Sequence, residues 1–425
     1  MNTHSPTLPQ APAVARPGRF HMFLGMVWLS VWMGNFLRPV FELLPVSPYY
    51  IMTALYVPYF LFLRLGDVFR VVLRPMFAIW FLTAAIPLLV YVGYGGGEHA
   101  YFEVRTRITY FSAVAGSAVL LASHAPKRTL QLSAAFVLVV SALVNLGEMV
   151  LPFQLSEAPG RAAGFHQNPN ASAGVLIAAL LVALDFRRQS FRGLVLATIG
   201  TLGVLVTFSR HGSAFVGLIW LSYLLGARGH AREALSIPTR FFTLLSGVFV
   251  AIIGIWALLN VFDLHSEALL RVQSLIGLDI ADSAAQGRLE NANVGLQLFL
   301  ENMWTGLGIG SHDYLEIETH NTFLKLGIDY GVSGMLVLLL ILAATSLSAL
   351  RYGIWRSSSV TLLSVFFVYE ALFSQTLEHN LAFACVFGAL LSRALVAEED
   401  PYDEAAPASR PNDAFGTTDD WNRLP

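Results

Sequence analysis

The 425-residue chain is 55% hydrophobic and only 13% charged, where soluble domains carry roughly 25% charged residues, which excludes an ordinary water-soluble globular protein. Its net charge of −2, with arginines scattered between apolar runs, offers no basic face for nucleic acid. A single cysteine, Cys385, excludes an intramolecular disulfide and sits in an apolar run, where a small packing residue is expected.

In chain order, residues 1–19 are proline-rich and polar and predict a disordered N-terminus, with Arg16 and Arg19 just before the first apolar run. That run, 20–37, leads into Arg38-Pro39 rather than a small-residue cleavage site, so it reads as an uncleaved first span. Runs of about 15–25 residues, the length that crosses a hydrocarbon core of about 30 Å, then predict helices. They fall at 49–63, 75–93, 108–123, 130–150, 171–185, 193–209, 212–226, 241–262, 322–349, 359–376 and 381–396. The expected fold is all-α and integral to the membrane, with about twelve spans in one domain over 20–396. An acidic, proline-bearing tail over 397–425 is expected to be disordered.

The cations orient these spans. With the N-terminus inside, 18 of the 26 Lys and Arg residues fall in alternate loops or at the termini on the cytoplasmic side, as the positive-inside rule requires. Arg38, Arg105, Arg107, Arg161, Arg210, Arg271, Arg288 and Lys325 break the pattern and lie toward the outer face. The longest connection, about 263–321, is also outside, and a segment with apolar residues at helical spacing at 289–299 predicts a short surface helix within it.

Four outer stretches carry chemistry. One runs from Arg161 through Asn168-Pro169-Asn170; another is Thr207-Phe208-Ser209-Arg210-His211-Gly212. The third pairs Gly287-Arg288 with the glycine-rich Gly306-Leu307-Gly308-Ile309-Gly310, and the fourth is His320-Asn321 followed after nine residues by Gly331-Val332-Ser333-Gly334. The spans that begin near Asn170, His211 and Asn321 point N-termini, with their free N–H groups, at this face. Arg161, Arg210 and Arg288 beside them make a candidate anion site, guanidinium being the group best matched to phosphate oxygens. His320, at a helix N-terminus, favours neutral imidazole and is the candidate general base. A pyrophosphate offset by arginines leaves without a carboxylic acid to protonate it, so this set needs no metal and no cofactor.

Other readings attach to the same residues. His312, Glu316 and His320 at i, i+4 and i+8 would suit a metal only on a helix, and they lack the H-E-x-x-H pattern. Asn168-Pro169-Asn170 also reads as a turn and helix cap, and His211, His265 and His379 read as packing or interfacial residues. Tryptophans and tyrosines near span ends read as interfacial anchors. Glu148 and Glu370 near helix ends keep a transporter as the alternative from a different class. No nucleotide-binding glycine–lysine loop and no D-x-D pair is present.

These four stretches, in this order and on one side, resemble the O-antigen ligase and polymerase superfamily of GT-C-type membrane glycosyltransferases, over residues 100–350. The resemblance implies an inner-membrane enzyme with a periplasmic active site. It would take a glycan from undecaprenyl pyrophosphate, with inversion at the anomeric carbon. A ligase would pass the glycan to a hydroxyl of the lipid A core oligosaccharide; a polymerase would pass it to another lipid-linked repeat unit. The His-Asn-x9-Gly-x-x-Gly spacing is similar to the ligase pattern. By resemblance Arg288 and Arg210 hold the pyrophosphate, His320 is the essential histidine, and Arg161 adds a phosphate contact, with Asn168, Asn170 and Asn321 in the substrate site. The protein-glycosylating branch fits less well, since no additional soluble domain is expected after Val396.

Overall fold

A computed structural model of the chain describes residues 19–44, 46–94, 97–122, 126–151, 153–186, 190–225, 283–351, 358–374, 377 and 379–395. Among these residues the fold is entirely helical, without a strand. Its helices are α1 (Arg19–Gly34), α2 (Pro48–Leu63), α3 (Leu65–Val72), α4 (Pro75–Tyr94), α5 (Glu98–Leu121), α6 (Pro126–Val150) and α7 (Pro169–Ala183). There follow α8 (Phe191–Leu205), α9 (Arg210–Leu225), α10 (Ser283–Glu301), α11 (Ser311–Tyr314), α12 (Thr322–Arg351), α13 (Ser358–Phe373) and α14 (Leu381–Ser392).

Each apolar run expected as a span falls on one of these helices, except 241–262, which lies outside the described residues, as do His265 and Arg271. Three helical segments are long and apolar enough to cross a hydrocarbon core by themselves: Pro75–Gly93, Lys127–Val150 and Thr322–Leu347. A fourth arises if α2 and α3, bent by 100° at Arg64, are counted together. Helices α7, α8, α13 and α14 are apolar but of 10–17 residues, so at 1.5 Å per residue they are shorter than a 30 Å core. Three, or with the bent pair four, of the described helices thus qualify by length and composition as spans of a multi-pass membrane protein.

One detail departs from expectation. Helix α3 takes up part of what reads as a loop: Asp67 pairs with Arg64 at 2.7 Å and Arg70 at 3.1 Å, which neutralises the turn after α2 and lets a short helix form there. Trp28 and Trp32, within the first expected span, are fully buried. Trp28 donates from Nε1 to Ser117 Oγ at 3.1 Å, which satisfies the indole inside the bundle.

Packing is tight where glycine lets helices approach. α5 and α14 are in extensive contact, and a Cβ on Gly388 would lie 2.6 Å from the Val114 carbonyl oxygen and 2.7 Å from Ser117 Cβ. Cys385, one turn away, is fully buried beside them. Gly388→Ala is expected to destabilise the bundle by about 1–3 kcal/mol through overpacking against backbone that cannot rotate away. Thermal unfolding of the detergent-solubilised protein checks this, and an unchanged midpoint contradicts it.

Candidate functional site at one end of the bundle

The starts of α5, α7, α9, α12 and α14 and the ends of α6, α8 and α13 meet at one end of the bundle, tied by hydrogen bonds between their loops. All four sequence stretches lie there.

The loop between α6 and α7 is folded around Glu148, near the end of α6. One carboxylate oxygen accepts from the backbone N–H groups of Leu155 and Ser156, the other from Ala163 and Gly164. This explains the acid without a transport role: its lone pairs are given to loop amides. The loop so shaped presents Arg161, whose Nε donates to the Thr207 carbonyl at 2.8 Å and whose Nη2 donates to Asn170 Oδ1 at 3.0 Å. Asn168 caps α7, its Oδ1 accepting from the N–H of Asn170 at 2.9 Å and of Ala171 at 3.3 Å, with Pro169 at the first helical position. The first two stretches are therefore one unit, further joined by Ala162 N–H to the Val206 carbonyl.

Arg210 opens α9 and is exposed. The turn before it is sharp: Phe208 has φ of 50°, and Ser209 Oγ accepts from Gly212 N–H at 3.3 Å.

The third and fourth stretches form a second unit, and their glycines have one purpose. Gly331 breaks α12 with φ of 65° and ψ of −153°, which frees carbonyls of the preceding turn. Leu307 and Gly308 N–H groups donate to the Ile328 and Asp329 carbonyls, and Val332 N–H donates to the Met303 carbonyl. A Cβ at Gly306 would meet the Asp329 carbonyl at 2.5 Å, and one at Gly331 would meet the Met303 oxygen at 2.5 Å. The glycine spacing is thus what lets the 306–310 backbone dock onto the kink of α12.

His312 locks the same junction. Its Nδ1 lies 2.8 Å from Asp329 Oδ2 and its Nε2 2.9 Å from Asp313 Oδ1. Asp329 also accepts from Ser311 Oγ and His312 N–H. Burial disfavours the charged imidazolium, yet hydrogen bonds to Asp313 and Asp329 outweigh it and push His312 up to about 9. The i, i+4, i+8 geometry considered for a metal does not form: α11 ends at Tyr314, and Glu316 and His320 have φ of 54° and 47°.

His320 stands just before α12, half-buried, with Nε2 3.5 Å from Glu318 Oε2. Burial, then the charge of Arg288 on α10, lower its proton affinity, against a smaller opposing effect of Glu318. The structure therefore places Arg288 where its charge acts on His320. Asn321 caps α12 by accepting from Leu324 N–H at 3.0 Å, and its Nδ2 donates to the Leu372 carbonyl at 3.2 Å; Thr322 Oγ1 donates to the Ser374 carbonyl at 2.6 Å. The end of α13 thereby anchors the histidine turn. Among the described residues, every non-glycine residue with positive φ except Arg393, namely Asn35, Gln167, Phe208, Glu316 and His320, lies at this end, the concentration of backbone strain expected where side chains must be aimed.

Sequence reasoning missed a buried charge network. Glu103 on α5, fully buried, accepts from Arg107 Nε at 2.8 Å and pairs with His379 Nε2 at 3.4 Å and Lys325 Nζ at 3.9 Å. Lys325 and His379 are 2.5 Å apart. Arg107 and Lys325 are outer-face cations by position, but the i, i+4 placement of Glu103 and Arg107 was the only local sign, and pairing across three elements left none. His379 is a network member rather than a packing residue.

The pH dependence of the His312 contact follows with a definite sign. Its folded value of about 9 lies above the unfolded value of about 6.5, so its stabilisation is fully present below about pH 6.5 and is lost as pH rises through about 9. The difference in unfolding midpoint between wild type and Asp329→Asn is expected to be largest near pH 6 and to narrow toward alkaline pH. A difference independent of pH over that range contradicts the assignment.

No curated protein matches the chain. Residues 193–339, which hold the Arg210 turn, Arg288, the glycine segment and the His320 turn, match the O-antigen ligase family. This match covers the segment that builds the histidine and arginine geometry and is consistent with a member of the O-antigen ligase and polymerase superfamily.

Proposed function

We propose that this protein is an O-antigen ligase, a metal-independent, inverting glycosyltransferase of the inner membrane whose bundle end faces the periplasm. The donor is a glycan on undecaprenyl pyrophosphate, and the acceptor is a hydroxyl of the lipid A core oligosaccharide. The observation that supports it best is a half-buried His320 whose proton affinity burial and the charge of Arg288 lower, within the segment that matches the family. The orientation rests on the excess of cations in the opposite loops.

The chemistry divides between the two units. As the acceptor oxygen attacks the anomeric carbon, the bond from that carbon to the pyrophosphate oxygen breaks and its electron pair leaves with the pyrophosphate. Arg288 and Arg210 offset the charge that develops there. His320, kept neutral by burial and by Arg288, takes the proton from the attacking hydroxyl. Arg161, Asn168, Asn170 and Asn321 border the substrate; Arg161 already has two donors engaged by Thr207 and Asn170, so it stiffens the phosphate side as well as adding charge. Polymerisation of lipid-linked repeat units is the alternative outcome of the same chemistry. A deletion strain distinguishes the two: loss of long-chain lipopolysaccharide with accumulated lipid-linked polymer marks a ligase, and capping by single repeats marks a polymerase.

His320→Gln keeps hydrogen bonding but not basicity, and is expected to lower turnover by about 10²–10⁴-fold with donor binding retained. A base must be neutral, so activity falls as pH drops through the His320 value, which lies below the ordinary histidine range. Because Glu318 raises that value, Glu318→Gln should move the acid limb of kcat/KM to still lower pH. Wild-type turnover by His320→Gln, or an acid limb that moves upward in Glu318→Gln, contradicts the assignment.

A further inference from the structure

Glu370, one turn from the end of α13, is 1% exposed, and no donor among the described residues hydrogen-bonds either of its oxygens. The group that reaches it is His211, with Nε2 3.4 Å from Glu370 Oε1. The other ring nitrogen, Nδ1, is 2.9 Å from Ser209 Oγ, the hydroxyl that accepts from Gly212 N–H at the start of α9. Arg210 stands between Ser209 and His211 in this turn. The carboxylate therefore joins α13 to the two residues that flank the arginine. Two and four residues further along the chain, the Leu372 and Ser374 carbonyls hold Asn321 and Thr322, the residues directly after His320.

We propose that Glu370 is a positioning residue for Arg210: through His211 and Ser209 it bolts the arginine turn to the same helix end that anchors the His320 turn. The end of α13 then sets the separation between the charge that receives the leaving pyrophosphate and the base that deprotonates the acceptor. This rests on the reading of Arg210 as a pyrophosphate contact. It also explains why a carboxylate is buried with so few partners: His211 supplies the contact, and a hydrocarbon-facing bundle offers no water to replace it. Misplacing a reacting group by about 1 Å costs up to about 10²-fold in rate.

The test is a double-mutant cycle on the purified full-length chain, supplied with a lipid-pyrophosphate-linked glycan and a glycan acceptor. Glu370→Ala is expected to lower kcat/KM by about 10–100-fold, mostly through a raised KM for the donor, and Glu370→Gln, whose amide oxygen keeps an acceptor facing the imidazole, to restore most of it. Combined with Arg210→Ala, Glu370→Ala should add almost nothing. Effects that multiply, or a wild-type kcat/KM for Glu370→Ala alongside an impaired Arg210→Ala, overturn the positioning role and leave the reading of Arg210 standing. A wild-type rate for Arg210→Ala overturns that reading and the proposal with it. Should Glu370→Ala not fold, His211→Asn replaces it in the cycle with the same expected non-additivity and the same overturning result.

Discussion

Inside a bundle that hydrocarbon surrounds, a carboxylate has to find its donors in the protein, and four carboxylates at one end of this one decide how its loops are held. Glu148 gathers four backbone amides and folds the loop that presents Arg161. Asp329 holds α11 against α12 through Ser311 and His312. Glu103 draws Arg107, Lys325 and His379 from three elements onto one point, and Glu370 meets His211 beside Arg210. Removing one partner of such a pair leaves the other buried without compensation, which typically costs about 3–5 kcal/mol. The end of the bundle is thereby rigid where soluble enzymes commonly rely on packed layers around the site.

Rigidity there suits the chemistry proposed for the protein. Transfer from a pyrophosphate asks for fixed positive charge at the leaving group and a neutral base at the acceptor, a few ångströms apart and held without reorganisation. Cations and base come from different helices, α9, α10 and the turn before α12, so no single local structure could set their spacing. The end of α13 touches two of these turns, and the glycine-permitted docking of 306–310 onto α12 fixes the third side.

Much of this was legible in the sequence because hydrophobic run length and helical period are local signals. Helices fall on the expected runs throughout the described residues, the helix expected at 289–299 is present as the longer α10, and the match to the O-antigen ligase family spans three of the four short stretches that carried the resemblance. Where prediction went astray, the deciding force was not local. Arg64 and Arg70 looked like loop cations until Asp67 made them a helical turn. His211 and His379 read as packing or interfacial residues and Glu103 showed only its i, i+4 spacing to Arg107, since a buried ion pair is written in the sequence as residues tens to hundreds of positions apart. The glycines, by contrast, were visible but unexplained: only the kink at Gly331 shows that their spacing brings two backbones into contact.

The central claim is that this end of the bundle forms a glycosidic bond rather than moving a glycan across the membrane. Reconstitution in proteoliposomes tests it most directly, with a lipid-pyrophosphate-linked glycan and a lipid A core acceptor supplied in the presence of chelator and without nucleotide. The account predicts a covalent glycan–acceptor product, formed at the face that carries Arg288 and His320. Movement of lipid-linked glycan to the opposite leaflet with no covalent product would contradict it.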